Sequence, residues 1–270
     1  SKNNGHSAPA LSDKYRMLDA DSVALQHAYI FANSNPLGSK HLLDRSADSS
    51  EYSRVHQRYH PAIRHYLETF GYYDIFLVDP DSGDILYSVF KELDYTTSLI
   101  DGPYAGTNFA RAFQMANSAS DADYVGLVDL EPYFPSYEYP AGFVASPIFD
   151  GSTKVGVLIM QIPVEQIDAI MTSRQQWQEI GLGESGETYI VGKDFAMRSN
   201  SRFLLEAPDE YFEMITSLGM DPSTIEVIRA KETSALNQEV QTPGTVAATA
   251  GQSGEDIFED YRGVRVASSY

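Results

Sequence analysis

Apolar positions in the first part of the chain recur at helical spacing. Met17, Leu18, Ala20, Val23, Ala24, His27, Ala28 and Phe31 predict a helix from Tyr15 to about Asn33, behind a frayed tail over residues 1–12. "NSNPLGS" interrupts it, with Pro36 and Gly38 as breakers. A second helix is predicted from Glu51 to Phe70, capped by Ser49 or Ser50, with Pro61 expected to bend or divide it.

The period then changes. "YYDIFLVDP" and "DILYSVFKEL" predict two strands around the turn "DPDSGD". A short helix follows over Asn108–Asn117. "YVGLVDLEPYF", "AGFVASPIFD" and "KVGVLIMQI" predict three more strands, and helical spacing returns from Pro163 to about Gln178 through Val164, Ile167, Ile170 and Met171. After "GLGESG" the order restarts. "ETYIVGKD" and "AMRSNSRFL" predict a second hairpin, "PDEYFEMITSLG" and "PSTIEVIRAKE" two helices. "FLVDPDSGDILYS" and "YIVGKDFAMRSNS" form a weak internal echo, each a strand, a turn and a strand. The expected organisation is a helical segment at 1–70, an α+β module at 71–180 that includes a connecting helix, and a second at 181–270 that reads as ending one strand early.

Charge narrows the partners. The net charge is −19, which argues against nucleic acid or an anionic membrane surface, because such binding needs Lys and Arg to neutralise phosphates. There are no cysteines, so disulfides, thiol catalysis and zinc-finger or iron–sulfur sites are excluded. No apolar run approaches the ~18 residues of a spanning helix, and the N-terminus has no signal-peptide core. The chain therefore reads as a soluble protein or a soluble piece of a larger one.

Several motifs fail in context. Gly181, Gly183 and Gly186 form a G-x-G-x-x-G, but a phosphate loop follows a strand and opens a helix. Here a helix is expected before the glycines and a strand after, with Gly181 as the helix C-terminal cap. His56 and His60 share a helical face without the glutamate of H-E-x-x-H. Asp79, Asp81 and Asp84 suggest a calcium loop, but Gly83 is one place early and Phe90 holds the twelfth position. No G-x-S-x-G appears.

The stretch "DLEPYFPSYEYPAGFVASPIFD" at 129–150 carries Tyr133, Tyr137, Tyr139 and Phe143 among prolines and acids. Aromatic rings with polar tips on proline-stiffened loops suit either a small-ligand pocket or ordinary core packing. Basic residues in "KELDY" and "FARAF" (Lys91 and Arg111) could meet a ligand carboxylate through charge-assisted hydrogen bonds.

The order of these stretches resembles the double Cache domain, the tandem PAS-like sensor of bacterial transmembrane receptors. The matching stretches are "YYDIFLVDPDSGDILYSVFKELDYTTSLIDGPYAGTNFARAF", "PAGFVASPIFDGSTKVGVLIMQIPVEQIDAIM", "GLGESGETYIVGKDFAMRSNSRF" and "FEDYRGVRVASSY". The resemblance implies an α+β fold: a long N-terminal helix followed by membrane-distal and membrane-proximal modules, each around an antiparallel sheet. It also implies a periplasmic or extracellular location, flanking transmembrane helices, and an intracellular output such as a methyl-accepting, histidine kinase or diguanylate cyclase domain.

Family members usually hold a small molecule in the distal module, and those that bind amino acids carry an R-x-W-Y helix and a later Asp. Here Arg111 matches, but Phe113 and Gln114 replace the aromatic pair, and Gln161 stands at the acidic position. A neutral amide cannot neutralise an α-ammonium group, so a small organic acid is the expected ligand. Arg111 and Lys91 are expected to contact it, with Tyr133, Tyr137, Tyr139 and Phe143 as walls and Asp94 and Asp129 orienting polar groups. No cofactor or metal is implied, and the N-terminal helix could serve a homodimer. The alternatives are a ligand-free structural or dimerisation ectodomain and a carboxylate-dependent hydrolase, whose signature would be two facing carboxylates ~5–9 Å apart.

Overall fold

A computed structural model describes Asp13, Tyr15 and residues 18–270. The expected tail over 1–12 and the Met17 position of the first helix lie outside the described residues. The chain divides into two compact units, the first ending at Pro163 and the second spanning Val164–Tyr270.

In the first unit, helix α1 (Ala20–Gln26) starts at Asp19, whose carboxylate accepts from the Ser22 amide at 2.6 Å. It runs into a π-helical turn over His27–Phe31. Helix α2 (Glu51–Phe70) is capped by Ser50, which accepts from the Ser53 amide at 3.1 Å. It ends at Gly71, in the left-handed region with φ 73°. Pro61 lies inside α2 without dividing it. A proline there removes one amide donor, and the remaining turns carry the helix through.

Strands β1 (Asp74–Val78) and β2 (Ile85–Ser88), helix α3 (Asn108–Ser118), and strands β3 (Gly126–Tyr133), β4 (Tyr139–Asp150) and β5 (Thr153–Ile162) follow. The sheet is antiparallel in the order β2-β1-β5-β4-β3. Strand alternation sorts its residues by face. Phe76, Val157, Ile159, Phe143 and Ala145 join Phe109, Ala112, Phe113 and Ala116 of α3 in the main core. Ile75, Leu77, Leu158 and Met160 turn the other way, toward Ile63 and Leu67 of α2. Asp74 and Gln161 are paired across β1 and β5. By the period of two they continue the rows of Phe76 and Ile159, so two buried polar side chains end the core face of the sheet.

The second unit contains helices α4 (Val164–Met171), α5 (Arg202–Glu206), α6 (Pro208–Ser217), α7 (Pro222–Lys231) and α8 (Pro243–Thr249), and the hairpin β6 (Glu255–Glu259) and β7 (Arg265–Ser269). Two local expectations change. The helix expected to reach Gln178 stops at Met171, because Ser173, Arg174 and Gln175 all take positive φ. Gly181 therefore caps nothing, and Gly186 is needed for close approach, since a Cβ there would strike the Leu182 carbonyl. The hairpin expected at 187–204 is reduced to isolated bridges, one joining Val191 to Met197. Ladder bonding gives way to a side chain where the Ile190 amide donates to the Ser199 hydroxyl at 3.2 Å.

Candidate functional site

The polar end of the first unit's core face holds three buried or part-buried carboxyls. Asp74, at the head of β1, has no exposed surface; its Oδ1 accepts from the amides of Ile75 (2.7 Å), Val89 (2.8 Å) and Phe90 (3.2 Å). Its Oδ2 is buried without a partner. Asp94, equally buried, accepts from the Tyr133 hydroxyl at 2.6 Å, and its Oδ1 is unpartnered. Glu92 accepts from the Tyr73 hydroxyl at 2.8 Å and the Ser136 hydroxyl at 3.0 Å. Ser136 also accepts from Gln161 Nε2 at 3.2 Å, while Gln161 Oε1 is buried without a partner.

These groups perturb one another. Burial raises Glu92 to about 8, helped by the charges of Asp94 and Asp74. Burial raises Asp94 to about 6, against the Tyr133 hydrogen bond. Burial and the Asp94 charge also push Asp74 well above the usual carboxylate range. Lys91 is 2% exposed, in a left-handed conformation with φ 59°. Its ammonium donates to the Ser88 carbonyl and lies 4.3, 4.9 and 5.7 Å from the ring centroids of Tyr87, Tyr95 and Tyr29. Burial lowers Lys91 despite the Asp74 charge.

Beside this cluster lies a cavity of about 500 Å³. Lys91 and Glu92 belong to its wall together with Ile30, Leu37, Phe90, Leu93, Phe134 and Tyr137. The wall draws on the N-terminal helical segment, the loop after β2 and the β3–β4 connection. Its size and mainly apolar lining with a few polar groups are those of a small-molecule site.

The expected site residues separate accordingly. Lys91, Asp94, Tyr133 and Phe143 gather at this end of the core, and the Tyr133 and Phe143 rings meet edge-on at 5.4 Å. Tyr137 is exposed on the cavity wall, and Tyr139 is half-buried at the start of β4. Arg111 is not brought to the cavity. Phe109, Ala112, Phe113 and Ala116 claim the inner face of α3, which leaves Arg111 on the outer face, 45% exposed and paired with Glu131. Asp129 is exposed as well, its Oδ1 accepting from the Leu130 amide at 2.7 Å. Asp74 and Glu92 were missed. An acid heading the apolar run "DIFLV" was a signal for the first, and its place between Lys91 and Asp94 for the second.

His56 and His60 are stacked at 4.2 Å on the inner face of α2. His56 Nδ1 lies 2.8 Å from the Asp44 carbonyl, and the His60 nitrogens lie 2.7 Å from the Tyr87 hydroxyl and the His41 carbonyl. Burial and the Lys91 charge push His56 down to about 3 and His60 down to about 4. Among the described residues no group of three His, Cys, Asp or Glu could hold a metal ion, and no helix is long and apolar enough to cross a membrane.

No protein-family model and no curated protein matches the chain. Among solved structures it is similar to the ligand-binding domain of the Campylobacter jejuni chemoreceptor Tlp3 in complex with 4-methylisoleucine. That likeness has 11% identity over 79% of this chain and 69% of that one, with a TM-score of 0.40. It is similar to the ligand-binding domain of the Pseudomonas aeruginosa PAO1 amino-acid chemoreceptor PctC in complex with GABA, at 12% identity over 58% of this chain and 60% of that one, TM-score 0.34. It is also similar to the sensor domain of the V. cholerae histidine kinase DctB, at 14% identity over 58% and 56%, TM-score 0.30. These neighbours are sensory domains of chemoreceptors and histidine kinases.

Proposed function

We propose that this chain is the extracytoplasmic ligand-sensing part of a transmembrane signalling receptor, receiving a small molecule in the cavity of its first unit. The observation that carries the reading is the pairing of that cavity with Lys91 and Glu92, two ionisable groups displaced from their ordinary titration in its wall. Such groups cost stability in the free protein, and a bound ligand offsets that cost. The wall joins Ile30 and Leu37 to Leu93 and Phe134, so a ligand bridges the N-terminal helical segment and the sheet-side loops. Different affinity for two arrangements of those parts is what a signal requires.

The reading is non-enzymatic. Glu92 reaches the cavity wall, whereas Asp74 and Asp94 stay behind it, with no exposed surface at which a carboxylate pair could work on a substrate. A thermal-shift screen of small acids, amines and neutral compounds tests it. At least one class is expected to stabilise the protein, and Leu93→Trp, which fills the cavity, is expected to remove the effect. No stabilisation by any class would sink the reading.

A dimerisation role has separate support. Val55, Tyr59, Tyr66 and Phe70 form an exposed apolar stripe on α2 at helical spacing. If that stripe pairs two copies, Tyr59→Glu shifts sedimentation to the monomer; an unchanged sedimentation coefficient counts against it.

A further inference from the structure

The charged groups in the wall of the first unit's cavity are already committed to the protein. Lys40 Nζ donates to the Asn33 carbonyl at 2.6 Å, and Asn33 Nδ2 returns a bond to the Lys40 carbonyl at 2.9 Å. The Lys91 ammonium is held by the Ser88 carbonyl and three tyrosine rings. Glu92 spends one oxygen on the Tyr73 hydroxyl and the other on the Ser136 hydroxyl. Glu138 is exposed and has a partner as well. These bonds frame the cavity. They close the loop at 33–40 on itself and tie the loop after β2 to the β3–β4 connection.

The rest of the wall is apolar. Leu37, Leu93, Phe134 and Tyr137 are large side chains that the free protein leaves exposed. Phe90 is fixed in place, its ring 4.5 Å from that of His41 and 5.2 Å from that of Tyr73. Exposed apolar side chains scattered singly need no explanation, but a group of them around one cavity marks a binding surface. Tyr137 and Glu138 also hold positive φ, 58° and 61°. That conformation costs energy in residues other than glycine and recurs at ligand clamps.

Resting on the sensing function proposed above, we infer that the ligand is an uncharged, mainly apolar small molecule. Its body lies among Leu37, Leu93 and Phe134, with at most a neutral hydroxyl or carbonyl turned toward water. An ammonium or carboxylate entering the cavity loses its hydration and finds no committed group free to replace it. To pair it, the protein would break a bond of Lys40, Lys91 or Glu92 and leave the Asn33 carbonyl, the Ser88 carbonyl or the Tyr73 hydroxyl short of a partner. An apolar body makes neither demand, and its binding gains with the area it removes from water. That gain offsets the cost of the displaced Lys91 and Glu92 without pairing either. The organic acid expected from the sequence relied on Lys91 and Arg111. Lys91 is held as described, and Arg111 is on the outer face of α3 with Glu131.

Isothermal titration calorimetry with probes sharing a phenyl body tests this: the terminal alcohols phenethyl alcohol, phenylpropanol and phenylbutanol, with phenethylamine and hydrocinnamate as charged counterparts of the first two. The alcohols are expected to bind, with affinity rising roughly fourfold per added methylene. Each charged probe is expected to bind at least about tenfold more weakly than its matching alcohol. Leu37→Ser and Phe134→Ser remove side chains that are exposed in the free protein, so each should keep the parent melting temperature while losing about tenfold in affinity for phenylbutanol. Tighter binding of a charged probe than of its matching alcohol, an affinity that does not rise along the alcohols, or an unchanged affinity in both variants overturns the neutral assignment. If no probe binds and only a charged class stabilises the protein in the wider screen, the neutral assignment fails while the sensing function stands. If nothing in that screen stabilises the protein, both fall.

Discussion

Tyr133 donates its phenolic hydrogen to Asp94 at 2.6 Å, and neither side chain has any exposed surface. This bond ties the last residue of β3 to the loop that follows β2 and satisfies one of the two Asp94 oxygens. Tyr133→Phe keeps the ring against Phe109 and Phe143 but takes the hydroxyl donor away from the buried Asp94 carboxylate. It is expected to cost about 1–3 kcal/mol, the penalty of a buried polar group losing its partner, measured by urea unfolding. A loss below about 0.5 kcal/mol would place the bond among the neutral ones.

Glu92 and Asp94 give stability a pH dependence of definite sign. Both are raised in the folded state, to about 8 and about 6, so the folded protein holds their protons more tightly than the unfolded chain. That contribution is complete below the unfolded values near about 4 and is lost as pH rises through about 6 for Asp94 and about 8 for Glu92. Glu92→Gln should therefore be more stable than the parent at about pH 8, by roughly 1–3 kcal/mol, with the difference vanishing near about pH 4. Melting curves of the two proteins across that range decide it. A constant difference would mean that Glu92 does not titrate with folding.

The stacked histidines act in the opposite direction. His56 and His60 are lowered to about 3 and about 4 by burial, so the unfolded chain takes up their protons first. Their contribution is full above about 6.5 and is lost as pH falls toward about 4 and then about 3. His56→Phe keeps an aromatic ring in the stack and should make the acid-side loss of stability shallower. An unchanged slope between about pH 6.5 and about pH 4 would show that His56 titrates alike in both states.

Arg111 is the control for the site. Its pair with Glu131 is exposed on the outer face of α3, where such pairs contribute about 0–1 kcal/mol. Arg111→Ala is expected to leave the melting temperature nearly unchanged and the affinity for any ligand of the first unit unaltered. A large loss of affinity would return Arg111 to the site.

Much of the fold was legible in the sequence. Alternation in "DIFLV" and "KVGVLIMQI" and helical spacing over Glu51–Phe70 mark the strands and α2, because burial of one face imposes its period on the residues. The capping serine was readable from the local sequence, while the left-handed Gly71 that ends α2 was not singled out. Where side-chain hydrogen bonds or left-handed residues compete with regular structure, the pattern misled. The turn at Ser173–Gln175 and the Ser199 bond to the Ile190 amide are of that kind.

The site was legible only in part. "KELDY" and the aromatic stretch at 129–150 contain Lys91, Glu92, Asp94, Tyr133 and Tyr137, so the sequence by itself pointed to segments that meet in the candidate site. The tertiary structure decided the electrostatics. It placed Asp74 beside Gln161 at the end of the core rows, surrounded Lys91 with three tyrosine rings, and turned Arg111 outward. Residue identity sets what charge a group can carry. The burial and the neighbours that decide whether it carries that charge are supplied by segments far apart in the chain and close together in the fold.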